Sequence, residues 1–454
     1  MQVVDPSLLD IPALLISISH FPATARPQSG LSFSPFVYEF YITEGATRFL
    51  AALYGEWPAP EVPVHGGCEM RTGPFKSDGI LLGNRVWLDE DADGLQDVGE
   101  GGVIGACVHL YDATGNLIAT TSSDSNGFYG FGVSPGHYTL EFVLPEGLAF
   151  TRARAGPEEL DSDASTSNGG VDVEVASQDL SVDAGFIREE TATKPTGESA
   201  TAPLAQVGPI RSGRLMYRYL ADSFPGSCLI FAYASPEVLE KLPQCKVVFH
   251  QILGGGYMLD LGELWSVAKE NQRHFRANID YAGYLFTDKP SPEGRPAPGL
   301  DVYIAYQNQS GWYYDPLSQS YLRYVDTSEA ELAGILHPET DRLTGRQLSV
   351  QNVIVVFAKH DVISPTNLDI RLDPGRTGKA ILFRDGQALN IDWGMPRASG
   401  DGTGHPIQFL QKNGELVALR PGHTWVIVVT PETTVEQTAD GRWKLIFAPP
   451  DGAK

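Results

Sequence analysis

A twelve-residue stretch, Asp89–Glu100, constrains this chain more than any other segment. It reads D-E-D-A-D-G-L-Q-D-V-G-E. Acidic side chains stand at loop positions 1, 3, 5, 9 and 12, as Asp89, Asp91, Asp93, Asp97 and Glu100. Gly94 fills position 6, where the backbone must turn sharply, and Leu95 offers a carbonyl at position 7. This spacing wraps hard oxygen donors around a calcium ion. The flanking segments alternate apolar and polar residues with period two, so the loop joins strands rather than helices. A helix–loop–helix switch is therefore not expected, and the ion's role would be to offset clustered carboxylates and stiffen a β module. Millimolar free calcium is an extracellular condition, which points to an extracytoplasmic location.

The charge distribution agrees with a localised acidic module. The formal net charge is −23. Residues 76–186 hold 19 Asp and Glu against 4 Lys and Arg, so 15 of those negative charges lie there. A chain so acidic is a poor match for nucleic acid. No run of 18 apolar residues exists to span a bilayer. The opening MQVVDPSLLD has neither a basic n-region nor an apolar core, so it does not read as a signal peptide. Either such a segment is absent from this chain or the protein is cytosolic. The four cysteines, Cys68, Cys107, Cys228 and Cys245, form no metal-type CxxC pair. Cys228 and Cys245 are close enough in sequence to bridge, but reduced buried thiols are the preferred expectation.

Length and patterning divide the chain into blocks. Residues 77–187 carry short strand patterns such as NRVWL, GACVHLYD and HYTLEFVL, separated by the turn signals ATGN, DSNG and SPGH. That spacing predicts a β-sandwich. Residues 188–204 are rich in Pro, Thr, Ser and Gly and read as a linker. SGRLMYRYLADSF then predicts a helix, SCLIFAYA a buried strand and PEVLEKL a short helix, which together suggest an α/β layer. Beyond residue 300, runs such as NVIVVFAK and TWVIVVT, with hairpin signals at RDGQ and KNGE, predict a mostly antiparallel β domain. The expected class is α+β, multidomain.

Further oxygen donors lie in the sandwich block. Asp161, Asp163 and Asp183 are candidates for a second calcium, and Asp124 and Asn126 share a turn. The alternative is that these are solvated turn residues. GNRVWLDEDADGLQDVGEGGVIGACVHLYDATGN and TTSSDSNGFYGFGVSPGHYTLEFVLPEG resemble the B repeat of SdrD-type staphylococcal surface adhesins. The resemblance implies an Ig-like, prealbumin-like sandwich that binds calcium and serves as a spacer. Related collagen-adhesin domains carry a Lys–Asn crosslink, but Lys76 at the block's edge is the nearest donor here.

A second resemblance flanks that block. ARPQSGL, VYEF, EGATRFLAALY and VGPIRSGR resemble segments of the YerB-type bacterial lipoproteins, a family of unknown function, as do GRQLSVQNVIVVFA, GKAILFRDGQ and PGHTWVIVV. It implies that residues 1–75 and 205–299 form one α/β domain, split by the sandwich and followed by a β domain at 300–454. Where the family commonly carries a Pro-His-Asn, this chain shows Asp280-Tyr281-Ala282-Gly283. The motif segments contain Arg26, Gln28, Ser29, Glu39, Glu44, Arg48, Arg211, Ser212 and Arg214. Converging arginines would clamp a carboxylate or phosphate bidentately; an internal Arg–Glu network is the competing reading. Histidines share no spacing that supports a zinc site or a catalytic triad. Trp312, Tyr313, Tyr314 and Tyr321 would form either a sugar-stacking patch or, preferably, ordinary hairpin core.

The leading functional expectation is a non-catalytic binding protein for an envelope component, such as a cell-wall polymer or another envelope protein. A glycan hydrolase or transferase using Glu39 or Glu44 as acid/base is the second. A structural spacer that docks a partner protein is the third.

Overall fold

The computed structural model describes residues 6–189, 205–243, 245–248, 256–274, 279, 281, 283–290, 294–326, 334–397 and 405–453. The expected linker therefore falls almost wholly outside the described residues, as do Phe275, Arg276, Asp280 and Ala282.

The molecule is mostly β. A thirteen-stranded mixed sheet runs in the order Lys246–Val248, Cys228–Ala232, Leu14–Ser19, Ala46–Leu53, Phe36–Thr43, Thr424–Val429, Asn352–Phe357, Thr377–Arg384, Gln387–Gly394 and Arg295–Pro296. Gln206–Ile210, Tyr257–Asp260 and Gln408–Leu410 attach to it at the sides. Its middle strands read as near-continuous apolar runs because both faces are covered; every residue of Leu14–Ser19 and Thr424–Val429 is buried. One face packs under the helix Tyr217–Ser223, with Leu15, Phe40, Leu50, Tyr217 and Leu220 in one apolar cluster. The other face packs on a seven-stranded sheet built from Gly299–Ala305, Asn308–Asp315, Ser320–Asp326 and neighbouring strands. The expected helix in SGRLMYRYLADSF shortens to Tyr217–Ser223, because Arg211–Arg214 remains a loop against the sheet edge. The RDGQ signal forms a two-residue hairpin, with Asp385 at φ 52° and Gly386 at φ 69°.

Strands from either side of the sandwich block meet in the large sheet, since Ile18 pairs with Ile210. The sandwich itself stacks two four-stranded sheets over a core containing Leu82, Val86, Val108, Tyr129, Leu140 and Phe186. Trp312 and Tyr321 are fully buried between the two body sheets, so they are core and present no stacking patch.

The thiol expectation is overturned. Cys228 and Cys245 form a disulfide with Cα atoms 5.2 Å apart, because Cys228 opens one strand and Cys245 immediately precedes its parallel neighbour. Cys68 and Cys107 form a second, at a Cα separation of 5.5 Å. There the segment leading into the sandwich pairs with it: Val64 and His65 pair with Val103 and Ile104, and Gly67 with Ala106. Long-range pairing of this kind leaves no trace in cysteine spacing.

Candidate functional site

The acidic loop folds as a tight cradle. Asp89, Asp91 and Asp93 bring one carboxylate oxygen each to within 4.8 Å of one another. Asp89 is buried and accepts from the Gly94 amide at 2.8 Å and the Thr151 hydroxyl at 2.6 Å. Asp93 accepts from the Leu95 amide at 2.8 Å. Glu100 closes the loop on itself, accepting from the amides of Glu90 at 2.8 Å and Asp97 at 3.0 Å. Gly94 sits at φ 82°, and a Cβ there would lie 2.7 Å from the Arg152 carbonyl, so the turn demands glycine. Burial, then the neighbouring Asp93, Asp91 and Asp89 charges, raise the Asp97 pKa. Burial also raises that of Glu100, against the two amide hydrogen bonds. All the side-chain donors of this loop are hard oxygens, the set that calcium takes.

The remaining sandwich acids are arranged differently. Among the described residues Asp161, Asp163 and Asp183 are not drawn into a comparable group. Their oxygens serve the local fold. Asp161 accepts from the Gly156 amide at 3.1 Å, and Asp163 from the Asp183 amide at 2.8 Å. Asp183 accepts from the Arg85 amide at 2.8 Å and from the Gln96 side chain at 2.9 Å. Burial pushes Asp163 up to about 6 and Asp183 well above the usual range. Asp124 caps its own turn, accepting from Asn126 and Phe128, and pairs with Arg71 at 2.7 Å. It is a structural acid.

The motif residues of the body separate onto two faces of the large sheet, because side chains alternate along a strand. Glu39 and Arg48 lie on the adjacent strands Phe36–Thr43 and Ala46–Leu53, but Arg48 is paired with Phe40, and Glu39 with Phe49. They point in opposite directions.

On Glu39's side lies an enclosed ionic network. Glu39 is 2% exposed and accepts from Thr47 and from the Trp425 indole, each at 2.9 Å. Arg323, fully buried, stands 3.7 Å from Glu39 and hydrogen-bonds Glu339. Its guanidinium lies 4.3 Å from the Trp425 ring centroid and 4.8 Å from that of Trp312. His20 bonds Thr47 at 2.8 Å and stacks on Phe49. Burial, with Arg26, Arg323 and Arg48, holds its pKa well below the ordinary value, so the ring is neutral. Arg26 pairs with Asp326 at 3.7 Å. Gln28 donates to the Ser19 carbonyl and Ser29 to the Gln206 carbonyl. The loop they belong to is pinned by Asp341, which accepts from the Gly30 and Ser32 amides. Glu44 occupies the turn between the two strands, at φ 50°, and takes no part in this network among the described contacts.

On the opposite side Arg48, Arg211 and Arg214 come together without an acid. No carboxylate pairs with any of them among the described residues. Arg48 is only 6% exposed, and its Nε and one Nη have no partner; the Nε atoms of Arg211 and Arg214 are also unpartnered. Burial, then the nearby Arg214 and Arg211 charges, push Arg48 down to about 9, although Tyr217 opposes this. Arg211 and Arg214 are lowered by burial as well. Around them, the Ser17 hydroxyl bonds the Ser212 carbonyl and the Tyr217 hydroxyl, both at 3.2 Å. Unpartnered guanidinium donors of this kind match the geometry of a carboxylate or phosphate.

Sequence reasoning grouped these arginines with Arg26 and Glu39 because it had no strand register. It missed Arg323, Glu339 and Trp425 altogether. The usable signal was YLRYV, an arginine set in an apolar strand run, where burial requires a charged partner.

Comparison with known families follows the same division. Residues 80–186 match the SdrD B-like domain. The chain carries an SdrD B-like domain. Residues 300–426 match the C-terminal domain of the protein of unknown function DUF3048. Within its SdrD B-like part the chain is 39% identical over 109 residues to serine-aspartate repeat-containing protein F of Staphylococcus epidermidis, covering 24% of this chain and 6% of that one. It is 35% identical over 130 residues to serine-aspartate repeat-containing protein E of Staphylococcus aureus, covering 28% and 11%. It is 38% identical over 111 residues to the bone sialoprotein-binding protein of Staphylococcus aureus, covering 24% and 10%. The chain thus spans about a tenth or less of these relatives' length. A solved structure of the YerB protein from Bacillus subtilis aligns over 94% of this chain and 93% of that one, with a TM-score of 0.49 and 16% identity. Among the described residues, no helix is long and apolar enough to cross a membrane.

Proposed function

We propose that this protein is a non-catalytic, extracytoplasmic binding protein whose cationic face receives a phosphate or carboxylate of an envelope polymer. The observation that carries this reading is the convergence of Arg48, Arg211 and Arg214 with unpartnered donors and, among the described residues, no facing acid. Desolvated arginines without a counter-charge are destabilising on their own, so an arrangement that keeps three of them is explained by an anionic ligand. Glu39 is a poor acid/base because it is buried and already hydrogen-bonded by Thr47 and Trp425. Glu44 is exposed in the turn between two strands.

In this reading the body is one α/β domain made from residues 1–75 and 205–299, interrupted by the sandwich and joined to the β part at 300–454. The Ile18–Ile210 pairing and the neighbouring strands Phe36–Thr43 and Thr424–Val429 support that organisation. The sandwich binds calcium through Asp89, Asp91, Asp93, Asp97 and Glu100, with the Leu95 carbonyl, and the ion offsets their mutual repulsion.

Two experiments test this. Purified anionic wall polymer should bind the full chain and lose affinity in Arg48→Gln and Arg211→Gln; unchanged binding in both variants overturns the anion site. Calcium should raise the melting temperature of the wild type but not of the Asp91→Ala, Asp93→Ala double variant. A wild type indifferent to chelator removes the metal.

A further inference from the structure

One end of the large sheet borders a cavity that differs chemically from the arginine face. Pro35 precedes the strand Phe36–Thr43, Tyr54 follows Ala46–Leu53, and His423 precedes Thr424–Val429, so three neighbouring strands deliver these residues to one rim. With Glu56 and Phe286 they line a space of about 300 Å³. The wall facing them comes from the sandwich: Val98, the tenth residue of the acidic loop.

We infer that this cavity binds a single neutral pyranose unit. Its walls are apolar and partly aromatic, suited to the C–H faces of a sugar ring. The Tyr54 ring is held by its hydroxyl bond to the Leu9 carbonyl at 3.2 Å and by edge contact with Tyr281 at 4.9 Å. The polar end is one pair, Glu56 Oε2 to His423 Nε2 at 3.7 Å, with each side chain a little over a quarter exposed. A carboxylate accepts from sugar hydroxyls, and an imidazole donates to or accepts from the next one. Among the described residues the one basic group lining the cavity is matched by an acid, which leaves no surplus positive charge for an anion, unlike the arginine face. His423 is fixed in place: its amide donates to the Gln351 side chain at 2.7 Å, and its carbonyl accepts from the Gln351 amide at 3.0 Å.

The position of Val98 adds a coupling. It lies between Asp97 and Glu100, so ordering of the acidic loop sets the far wall of the cavity. Sugar affinity should therefore depend on calcium, a step that rests on the calcium reading above.

The experiment is calorimetric or saturation-transfer titration of the full chain with glucose and N-acetylglucosamine, and with inorganic phosphate as a charged control. Saturable sugar binding that falls about tenfold or more in Glu56→Gln, and equally in the cavity-filling Val98→Trp, while Arg48→Gln leaves it unchanged, supports the site. Absence of saturable binding in the folded wild type overturns it, as does binding indifferent to both cavity variants. Melting temperature in calcium and chelator is read on the same samples. If calcium raises the melting temperature while sugar affinity stays constant, the coupling fails and the metal stands. If neither responds, the metal reading has failed.

Discussion

Arg48 and Arg323 are both strand arginines removed from water, and their surroundings are opposite. Arg323 lies among Glu39, Glu339 and two indole faces. Arg48 lies among arginines. Opposite stability effects should follow from the same substitution. Arg323→Met leaves two buried carboxylates without their cation and should destabilise by about 3–5 kcal/mol. Arg48→Met removes an uncompensated charge and should stabilise by roughly 1–2 kcal/mol, while abolishing polymer binding. Urea unfolding of both variants, alongside the binding assay, checks this; a destabilised Arg48→Met would mean that an acid faces it after all. His20 supplies a pH dependence. Folded, it stays neutral well below its ordinary pKa of 6.5, chiefly through burial and then through Arg26, Arg323 and Arg48. The unfolded chain takes up that proton near pH 6.5. The stabilisation is therefore complete above pH 6.5 and is lost as pH falls below it, at up to about 1.4 kcal/mol per pH unit. His20→Gln should flatten that part of the stability curve, measured by urea midpoints at successive pH values.

At the scale of elements, the sandwich was the most readable part of the chain. Its calcium-type loop is local, its strands alternate cleanly, and its turns carry Gly, Asn and Asp at the expected places. The body was readable as strands but not as a site. Which face Arg48 or Glu39 occupies depends on pairing with residues far along the chain, and a one-residue shift of register would exchange them. The disulfides failed for the same reason, since both join segments brought together only by strand pairing. Their contribution can be predicted. Chain-entropy estimates give about 4 kcal/mol for the Cys68–Cys107 closure and about 3 kcal/mol for Cys228–Cys245, from their separations of 39 and 17 residues. Cys68→Ser with Cys107→Ser should lower the denaturation midpoint of the chain, and so should Cys228→Ser with Cys245→Ser. Equal midpoints with and without reductant in the wild type would refute both bridges.

At the scale of the whole molecule, the question is whether the SdrD B-like domain swings freely or is part of the body. Its contacts favour the second. Arg71 pairs with Asp124 of the sandwich at 2.7 Å and reaches Asp315 of the seven-stranded sheet at 3.8 Å. Arg346 bonds Glu61 at 2.5 Å and the Ser125 carbonyl at 2.6 Å. Leu317 is buried against Gly130, where a Cβ would lie only 2.5 Å from its methyl group, so the glycine makes room for a side chain from the other domain. Gly101, just past the acidic loop, is similarly tight against Arg346. Exposed ion pairs alone would contribute little, but these are half-buried and surround an apolar contact. The sandwich and the body should therefore unfold together, in one calorimetric transition. Leu317→Ala combined with Arg346→Ala removes the packing and the fork together, at a cost of about 2–5 kcal/mol from the leucine alone. The double variant should separate the sandwich into its own transition, the one that responds to calcium. If a single transition persists, the coupling must run instead through the disulfide-held segment from Glu61 to Phe75, and adding Cys68→Ser with Cys107→Ser should then split it.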